Sequence, residues 1–324
     1  WLREYQRQVE RDPLAHHAFN TRAAARLSEE QQAAAGAAWE GRATLIHGVT
    51  GSGKTEVYLD LVGRALAAGG SAIVLVPEIS LTPQAIRRYG ERFGETLTVL
   101  HSQLSTGELF DQWFRIQRGD ARLVLGSRSA VFAPARDLRL IVLDEEHEWS
   151  YKQADPQPRY HAREAAEKLG SLTGARLVLG SATPDIVTYH RSEVGAIGRV
   201  ELHQRLSPKP GGGATAGAMP TVQVVDMREE LREGNRSVFS RPLRRAVHMA
   251  LKAGEQSILF VNRRGSARFV LCRDCGFMPL CPSCEVAMSL DASTPIHALL
   301  RCHHCARQRR LEDVVLVAAV GDVF

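Results

Sequence analysis

A chain of 324 residues with 44% hydrophobic and 24% charged side chains holds enough apolar material for about two ordinary domains, which excludes a disordered polymer and a small stapled scaffold. No stretch approaches the ~20 consecutive apolar residues of a membrane-spanning helix, and the first ten residues are charged rather than signal-like, so the sequence predicts a cytoplasmic protein with no membrane partner. The net charge of +5 permits a nucleic-acid partner without requiring one: only five of the 41 basic residues are lysine, and an Arg and Ala bias also follows from genome composition.

Beginning at Trp1 rather than Met, the chain reads as a piece of a longer product. Residues 1–40 are rich in Arg, Gln and Ala, with helical spacing over 21–39, and read as a linker and lead-in helix. From residue 43 onward, short apolar runs at 43–47, 72–76, 97–100, 122–126, 140–144 and 176–180 alternate with helix-length amphipathic stretches. That pattern predicts an α/β fold over 41–206, a parallel sheet covered on both faces. The hexapeptide Arg-Leu-Val-Leu-Gly-Ser occurs at 122–127 and again at 176–181, marking two core strands that end alike on the same edge of the sheet. Residues 207–220 are rich in Gly, Ala and Pro and predict a flexible connection, so 207–271 reads as linker and the start of a second lobe. A strand at 222–226, a helix at about 241–252 and a strand at 257–262 lead into a cysteine segment at 272–305 that reads as a zinc-binding module, and 306–324 reads as a remnant of the second lobe.

Gly48-Val49-Thr50-Gly51-Ser52-Gly53-Lys54-Thr55 fits the phosphate-binding pattern G-x-x-x-x-G-K-[ST], with an expected strand before it and an expected helix, 56–68, after it. Glycines let backbone N–H groups curl round phosphates at the positive end of that helix. Lys54 reaches the β and γ phosphates, and Thr55 binds Mg2+, so ATP with magnesium is the expected cofactor pair. Read blandly these residues are a glycine-rich turn, which the agreement of motif and context disfavours. Ninety residues on, the run Leu140-Ile141-Val142-Leu143 delivers Asp144-Glu145-Glu146-His147 to a strand end. Asp144 is expected to hold magnesium, Glu145 to orient and deprotonate the attacking water, and His147 to complete the catalytic set with Lys54. A solvated acidic loop is the alternative, weakened by the phosphate loop upstream.

All six cysteines, Cys272, Cys275, Cys281, Cys284, Cys302 and Cys305, stand in three C-x-x-C pairs. In a chain without a signal peptide that spacing favours a closed Zn2+ site over disulfides.

The acidic box together with Ser181-Ala182-Thr183 resembles the motifs of helicase superfamily 2, in which the Ser-Ala-Thr segment links nucleotide hydrolysis to nucleic-acid movement. Four longer strings narrow the resemblance: the phosphate loop continued through Glu56-Val57-Tyr58; Val76-Pro77-Glu78-Ile79-Ser80-Leu81-Thr82-Pro83-Gln84; Gly126-Ser127-Arg128-Ser129-Ala130; and Asn262-Arg263-Arg264-Gly265. Over about residues 27–305 they resemble the PriA family of bacterial replication-restart helicases.

The resemblance implies a RecA-like lobe and an ATP-dependent 3′-to-5′ DNA helicase that recognises stalled or abandoned forks and initiates primosome assembly. It implies a monomer whose partners are forked or single-stranded DNA, other primosome proteins and single-stranded-DNA-binding protein. Within Leu27-Ser28-Glu29-Glu30-Gln31 it gives Gln31 the reading of adenine. It makes the segment holding Trp149, Tyr151, Lys152, Arg159 and Tyr160 a loop that couples DNA to hydrolysis alongside Ser181 and Thr183. Aromatic faces stack on unpaired bases and interleaved cations meet phosphates. The alternative is that these aromatics pack on the core, against which Pro156 and Pro158 argue for an exposed loop.

In the family four cysteine pairs interleave, so Cys281, Cys284, Cys302 and Cys305 would share one zinc. Cys272 and Cys275 would then need His297, His303 or His304, or would stay an empty dithiol. The chain departs from the family after Cys305: the later Gly-Arg-rich motif is missing, and what remains after residue 196 is short of the about 150 residues of a full lobe. A piece that binds ATP and DNA without unwinding, a scaffold of the primosome, is therefore the second reading. An isolated zinc module with a decayed motor is disfavoured by the unbroken motifs upstream.

Overall fold

The computed structural model of the chain describes residues 11–14, 19–20, 23–208, 214–217, 220–260, 268–269, 277–291 and 299–310. The chain divides into two compact units, residues 1–219 and 220–324. Among the described residues no helix is long and apolar enough to cross a membrane.

The first unit is a seven-stranded sheet, β1 (Ala43–Gly48), β2 (Ser71–Leu75), β3 (Leu97–Leu100), β4 (Leu123–Gly126), β5 (Leu138–Asp144), β6 (Arg176–Ser181) and β7 (Gly198–Leu202), in the order β3-β4-β2-β5-β6-β1-β7. Every pairing in it is parallel. α1 (Glu29–Glu40) precedes the sheet, and the crossovers run through α2 (Lys54–Ala67), α3 (Pro83–Phe93), α4 (Thr106–Arg118), α5 (Ala162–Thr173) and α6 (Ile186–Glu193). Neighbouring strand residues point to opposite faces, and both faces are covered. Ile46, Val74 and Val142 enter one core with Val57 and Leu61 of α2, while Leu45, Ile73 and Ile141 enter a second with Ala162 and Ala166 of α5. This is why the six strands read as unbroken apolar runs. The repeated hexapeptide supplies β4 and β6, whose Gly-Ser ends lie on the same carboxyl edge of the sheet.

Three local features depart from the sequence expectation. The lead-in helix starts at Glu29, eight residues late, because Ser28 caps it: the Ser28 side chain accepts from Gln31 N–H while the Gln31 side chain accepts from Ser28 N–H. β7 carries the alternation Arg199-Val200-Glu201 of a half-exposed edge strand, so no apolar run announces it. Residues expected to form only a flexible connection include an antiparallel hairpin of β8 (Arg205–Pro208) and β9 (Ala214–Gly217).

The second unit holds α7 (Met227–Arg232), α8 (Arg241–Lys252) and a four-stranded antiparallel sheet of β10 (Arg268–Phe269), β11 (Ser289–Asp291), β12 (Leu299–Arg301) and β13 (Gln308–Arg310). α8 lies where the sequence placed it, capped by Ser240. The expected strand at 222–226 is irregular backbone: no described residue pairs with it, and a run of valines without a neighbour has nothing to bury against. Of the strand expected at 257–262, residues 257–260 are irregular and the rest lies outside the described residues, as do Asn262-Arg263-Arg264-Gly265 and the segment 311–324.

Candidate nucleotide site and cysteine centre

The phosphate loop leaves β1 at Gly48 and enters α2 at Lys54. Gly51 and Gly53 take positive φ of 82° and 79°, which a side chain would strain, and Gly53 is the N-cap of α2 without any side chain bonding the first-turn N–H groups. Ser52 Oγ is buried with no hydrogen-bond partner. An uncapped helix N-terminus beside an orphaned hydroxyl is a set of donors that fits phosphate. Lys54 is buried and its Nζ donates to Gly48 O at 2.9 Å, so the ammonium is folded back over the mouth of its own loop. Thr55 is the second residue of α2. Gln31 reaches this loop from α1, its Nε2 donating to Ser52 O at 3.0 Å, while its Oε1 accepts from Ser28 N–H. Both ends of the Gln31 amide are thus tied, one to its own helix cap and one to the phosphate loop.

At the carboxyl end of β5 the acidic box spreads its three carboxylates into different surroundings. Asp144 Oδ1 accepts from Tyr58 Oη of α2 and from Glu145 N–H, each at 3.1 Å, and Oδ2 has no partner among the described residues. Burial, with the Glu145 carboxylate beside it, pushes the Asp144 carboxyl up to about 6. A free carboxylate oxygen on a desolvated acid is a donor set that fits a hard divalent ion. Burial and Asp144 push the Tyr58 phenol well above its usual value, keeping it a donor. Gly180, opposite Asp144 in the β5–β6 register, has to be glycine because a Cβ there would run into Tyr58 Oη.

Glu145 sits at φ 48°, a left-handed conformation costing a non-glycine residue about 1–2 kcal/mol, and holds its partly exposed carboxylate 3.7 Å from His147 Nδ1. That same Nδ1 lies 2.7 Å from Ser181 Oγ, which also accepts from Thr183 N–H at 3.0 Å, and His147 Nε2 lies 3.4 Å from Thr183 Oγ1. The acidic box and the Ser-Ala-Thr segment are in direct contact through one imidazole.

Glu146, given no role from sequence, is fully buried. Its Oε2 accepts from Arg163 Nη1 at 2.8 Å and from Thr188 Oγ1 at 3.0 Å, and its Oε1 from Asp185 N–H at 2.8 Å. Arg163 also pairs with Asp185 at 3.2 Å. These four residues lock the box, the start of α5 and the start of α6 together. No spacing rule points to them, since their partners are set by the sheet topology.

The segment after the box is corrected in part. Trp149 is 74% exposed and Arg159 is exposed, as a surface that meets DNA requires. Tyr151, expected to stack on bases, is buried: its hydroxyl donates to Asp144 O at 2.7 Å and Leu75 O at 3.0 Å, making it the anchor of the loop instead of its contact surface. Tyr160 is half-buried and packs edge-on against Phe132, ring centres 4.9 Å apart. Lys152 Nζ donates to Arg159 O at 2.7 Å and closes the loop on itself.

In the second unit Cys281, Cys284, Cys302 and Cys305 bring their sulfurs within 4.8 Å of one another, the one group of metal-ligating side chains among the described residues. The two C-x-x-C turns are built alike. Cys281 N–H donates to Val286 O and Glu285 N–H to Cys281 O; Cys302 N–H donates to Arg307 O and Ala306 N–H to Cys302 O. Glu285 and Ala306, each just after the second cysteine of its turn, take positive φ of 54° and 57°. His304 N–H donates to Cys302 Sγ at 3.4 Å, and the N–H of Ser283 holds the Cys281 thiol below its ordinary range. Four sulfurs converging with N–H donors around them fit a tetrahedral ion. His303 and His304 are not part of the group. Cys272, Cys275 and His297 lie outside the described residues.

A model of the DEAD/DEAH box helicase family matches residues 28–191. The replication restart protein PriA of Bacillus subtilis (strain 168) is 45% identical over 313 residues, covering 95% of this chain and 37% of its own length. The same-named protein of Synechocystis sp. is 46% identical over 266 residues, covering 81% of this chain and 31% of its own. The chain therefore spans about a third of the length of the curated relatives it matches. Among solved structures, RecG bound to a three-way DNA junction covers 64% of this chain and 28% of its own at 18% identity and a TM-score of 0.41. With the phosphate loop, the acidic box and the Ser-Ala-Thr segment all inside the matched residues, the chain belongs to the DEAD/DEAH box helicase family, as a relative of the replication restart protein PriA.

Proposed function

We propose that the first unit binds and hydrolyses ATP as the motor lobe of a 3′-to-5′ DNA helicase that recognises stalled or abandoned replication forks and initiates primosome assembly. The observation that carries this reading is the chain of contacts from Tyr58 on the phosphate-loop helix to Asp144, and from His147 to Ser181 and Thr183.

The N–H groups of Gly51, Gly53, Lys54 and Thr55 would receive the β and γ phosphates, with Lys54 swinging from Gly48 O to meet them. Asp144 and Thr55 would hold magnesium, which when bound supplies positive charge against the β and γ phosphates. Glu145, exposed enough to meet solvent, orients the attacking water and takes its proton. His147 meets Glu145 and Ser181 at Nδ1 and Thr183 at Nε2, so occupancy of the site is passed to the segment that moves nucleic acid. Gln31 would report the adenine through the amide that now bonds Ser52 O. Trp149, Lys152, Arg159 and Tyr160 would meet single-stranded or forked DNA, with Tyr151 relaying loop position to the Asp144 carbonyl. Zinc at Cys281, Cys284, Cys302 and Cys305 would fold the second unit, with Cys272 and Cys275 serving a further site. The protein would act as a cytoplasmic monomer beside other primosome proteins and single-stranded-DNA-binding protein, in keeping with the relatives named for replication restart.

Lys54→Ala is expected to abolish DNA-stimulated ATP hydrolysis, and an unchanged steady-state rate would sink the assignment. A second reading, that this chain binds ATP and DNA without unwinding, is favoured by the second unit, whose described residues form no parallel sheet. Strand displacement on a forked substrate by the 324-residue chain alone would rule that reading out.

A further inference from the structure

The segment that leaves β7 is held against the phosphate loop at both of its ends. Val49 N–H donates to Leu202 O at 3.0 Å and Leu206 N–H donates to Gly51 O at 2.9 Å, bracketing residues 203–205. His203 N–H donates to Glu30 Oε1 at 2.8 Å, pinning the same segment to α1. Between these anchors the side chain of Arg205 lies along Gly51. A Cβ built on Gly51 would stand 3.2 Å from Arg205 Cγ and 3.4 Å from Arg205 Nε, so the missing side chain of Gly51 gives the arginine its path across the loop.

The surroundings of this guanidinium are unlike those of the ion-paired arginines of the first unit. Arg64 pairs with Asp60, Arg87 with Glu91, Arg163 with Glu146 and Arg191 with Glu167, but no described carboxylate lies within ion-pair distance of the exposed Arg205. It runs along Gly51 of the phosphate loop, and the residues that follow in the loop are Ser52, whose buried hydroxyl has no partner, and the uncapped start of α2 at Gly53. A cation placed next to a helix N-terminus with no counter-charge is unfavourable by itself, and a polyanion bridging the two relieves both. A planar guanidinium makes paired, charge-assisted bonds to phosphate oxygens and balances their charge as well.

We propose that Arg205 is a phosphate-binding residue of the nucleotide site, supplied in cis by the segment after the last parallel strand and directed at the polyphosphate of a nucleoside di- or triphosphate. The proposal rests on the nucleotide reading above and adds a cation that the phosphate-loop pattern does not contain. It also gives the first unit an arginine of its own at the loop, outside any residue the sequence motifs single out.

The test is equilibrium binding of ATP, ADP and AMP to the 324-residue chain and to Arg205→Met, Arg205→Lys and Lys54→Ala. Methionine keeps the aliphatic stem along Gly51 and removes the charge, so packing and charge are separated. Arg205→Met is expected to weaken ATP about tenfold or more, the loss of one charge-assisted hydrogen bond, with AMP unchanged and Arg205→Lys recovering part of the loss. Parent-like ATP binding by Arg205→Met, with binding lost in Lys54→Ala, would overturn the role of Arg205 and leave the nucleotide site standing. An equal loss for AMP and ATP would also overturn it, since the effect would not read phosphate number. Parent-like ATP binding by Lys54→Ala would instead overturn the nucleotide reading on which the proposal rests.

Discussion

The first unit seals Leu45, Ile46, Ile73, Val74, Ile141 and Val142 completely between two layers of helices, whereas in the second unit Val224 is 91% exposed, Ile258 96% and Phe260 86%. The one described core cluster of the second unit is Cys281, Met288, Leu300 and Cys302, and two of its four members are metal-ligand candidates. One unit is held by apolar burial, at about 25 cal/mol per Å2 of apolar surface; the other buries little apolar surface among its described residues and gathers four sulfurs that could bind a metal ion. Each unit is therefore vulnerable at a different place.

Metal removal should separate the two most widely. A chelator, or Cys281→Ser, is expected to erase amide protection across 277–291 and 299–310 while β1, β2, β5 and β6 keep theirs, because a structural zinc site contributes on the order of 10 kcal/mol to a small module. Loss of protection in both units together, or in neither, would break the comparison. Within the first unit, Arg163→Ala leaves Glu146 buried and unpaired, and denaturant unfolding should show a loss of about 3–5 kcal/mol. Gly180→Ala forces a methyl into Tyr58 Oη and should cost about 1–3 kcal/mol. Tyr58→Leu in the same chain, which removes the hydroxyl and the far end of the ring, should return part of that loss, and a double variant whose losses simply add would show that the clash is not the cause. The smallest effect belongs to the cysteine turns. Glu285→Gly relieves a positive φ and should raise the stability of the metal-loaded second unit by about 1 kcal/mol, and a lower melting temperature would contradict that.

The same contrast decides what could be read from sequence. Strands β1 to β6 announced themselves because both faces are buried, which makes apolar residues dominate each run and confines most charged ones to its ends. β7 did not, since Arg199 and Glu201 face outward on an edge. Val222, Val224 and Val225 have strand-forming side chains yet form no strand, for propensity without a neighbour buries nothing. The phosphate loop and the box were legible because their chemistry fixes residue type at fixed spacing. Glu146, Arg163, Asp185 and Thr188 were not, because their bonds join residues 17 to 42 apart and exist only once the strand order is known. Tyr151 was misread for a related reason: a loop containing Pro156 and Pro158 is exposed, but the aromatic that tethers it must point inward.

The central claim is that the phosphate loop, Asp144 to His147 and Ser181 to Thr183 act as one nucleotide site in the first unit. Hydrogen exchange of the parent chain and Lys54→Ala, with and without magnesium and ATP, tests it most directly. New protection is expected in peptides covering 48–56, 144–148 and 181–183 of the parent, with little change at 277–310 and none of that protection in Lys54→Ala. Nucleotide protection that spares the phosphate loop, or that persists in Lys54→Ala, would contradict it.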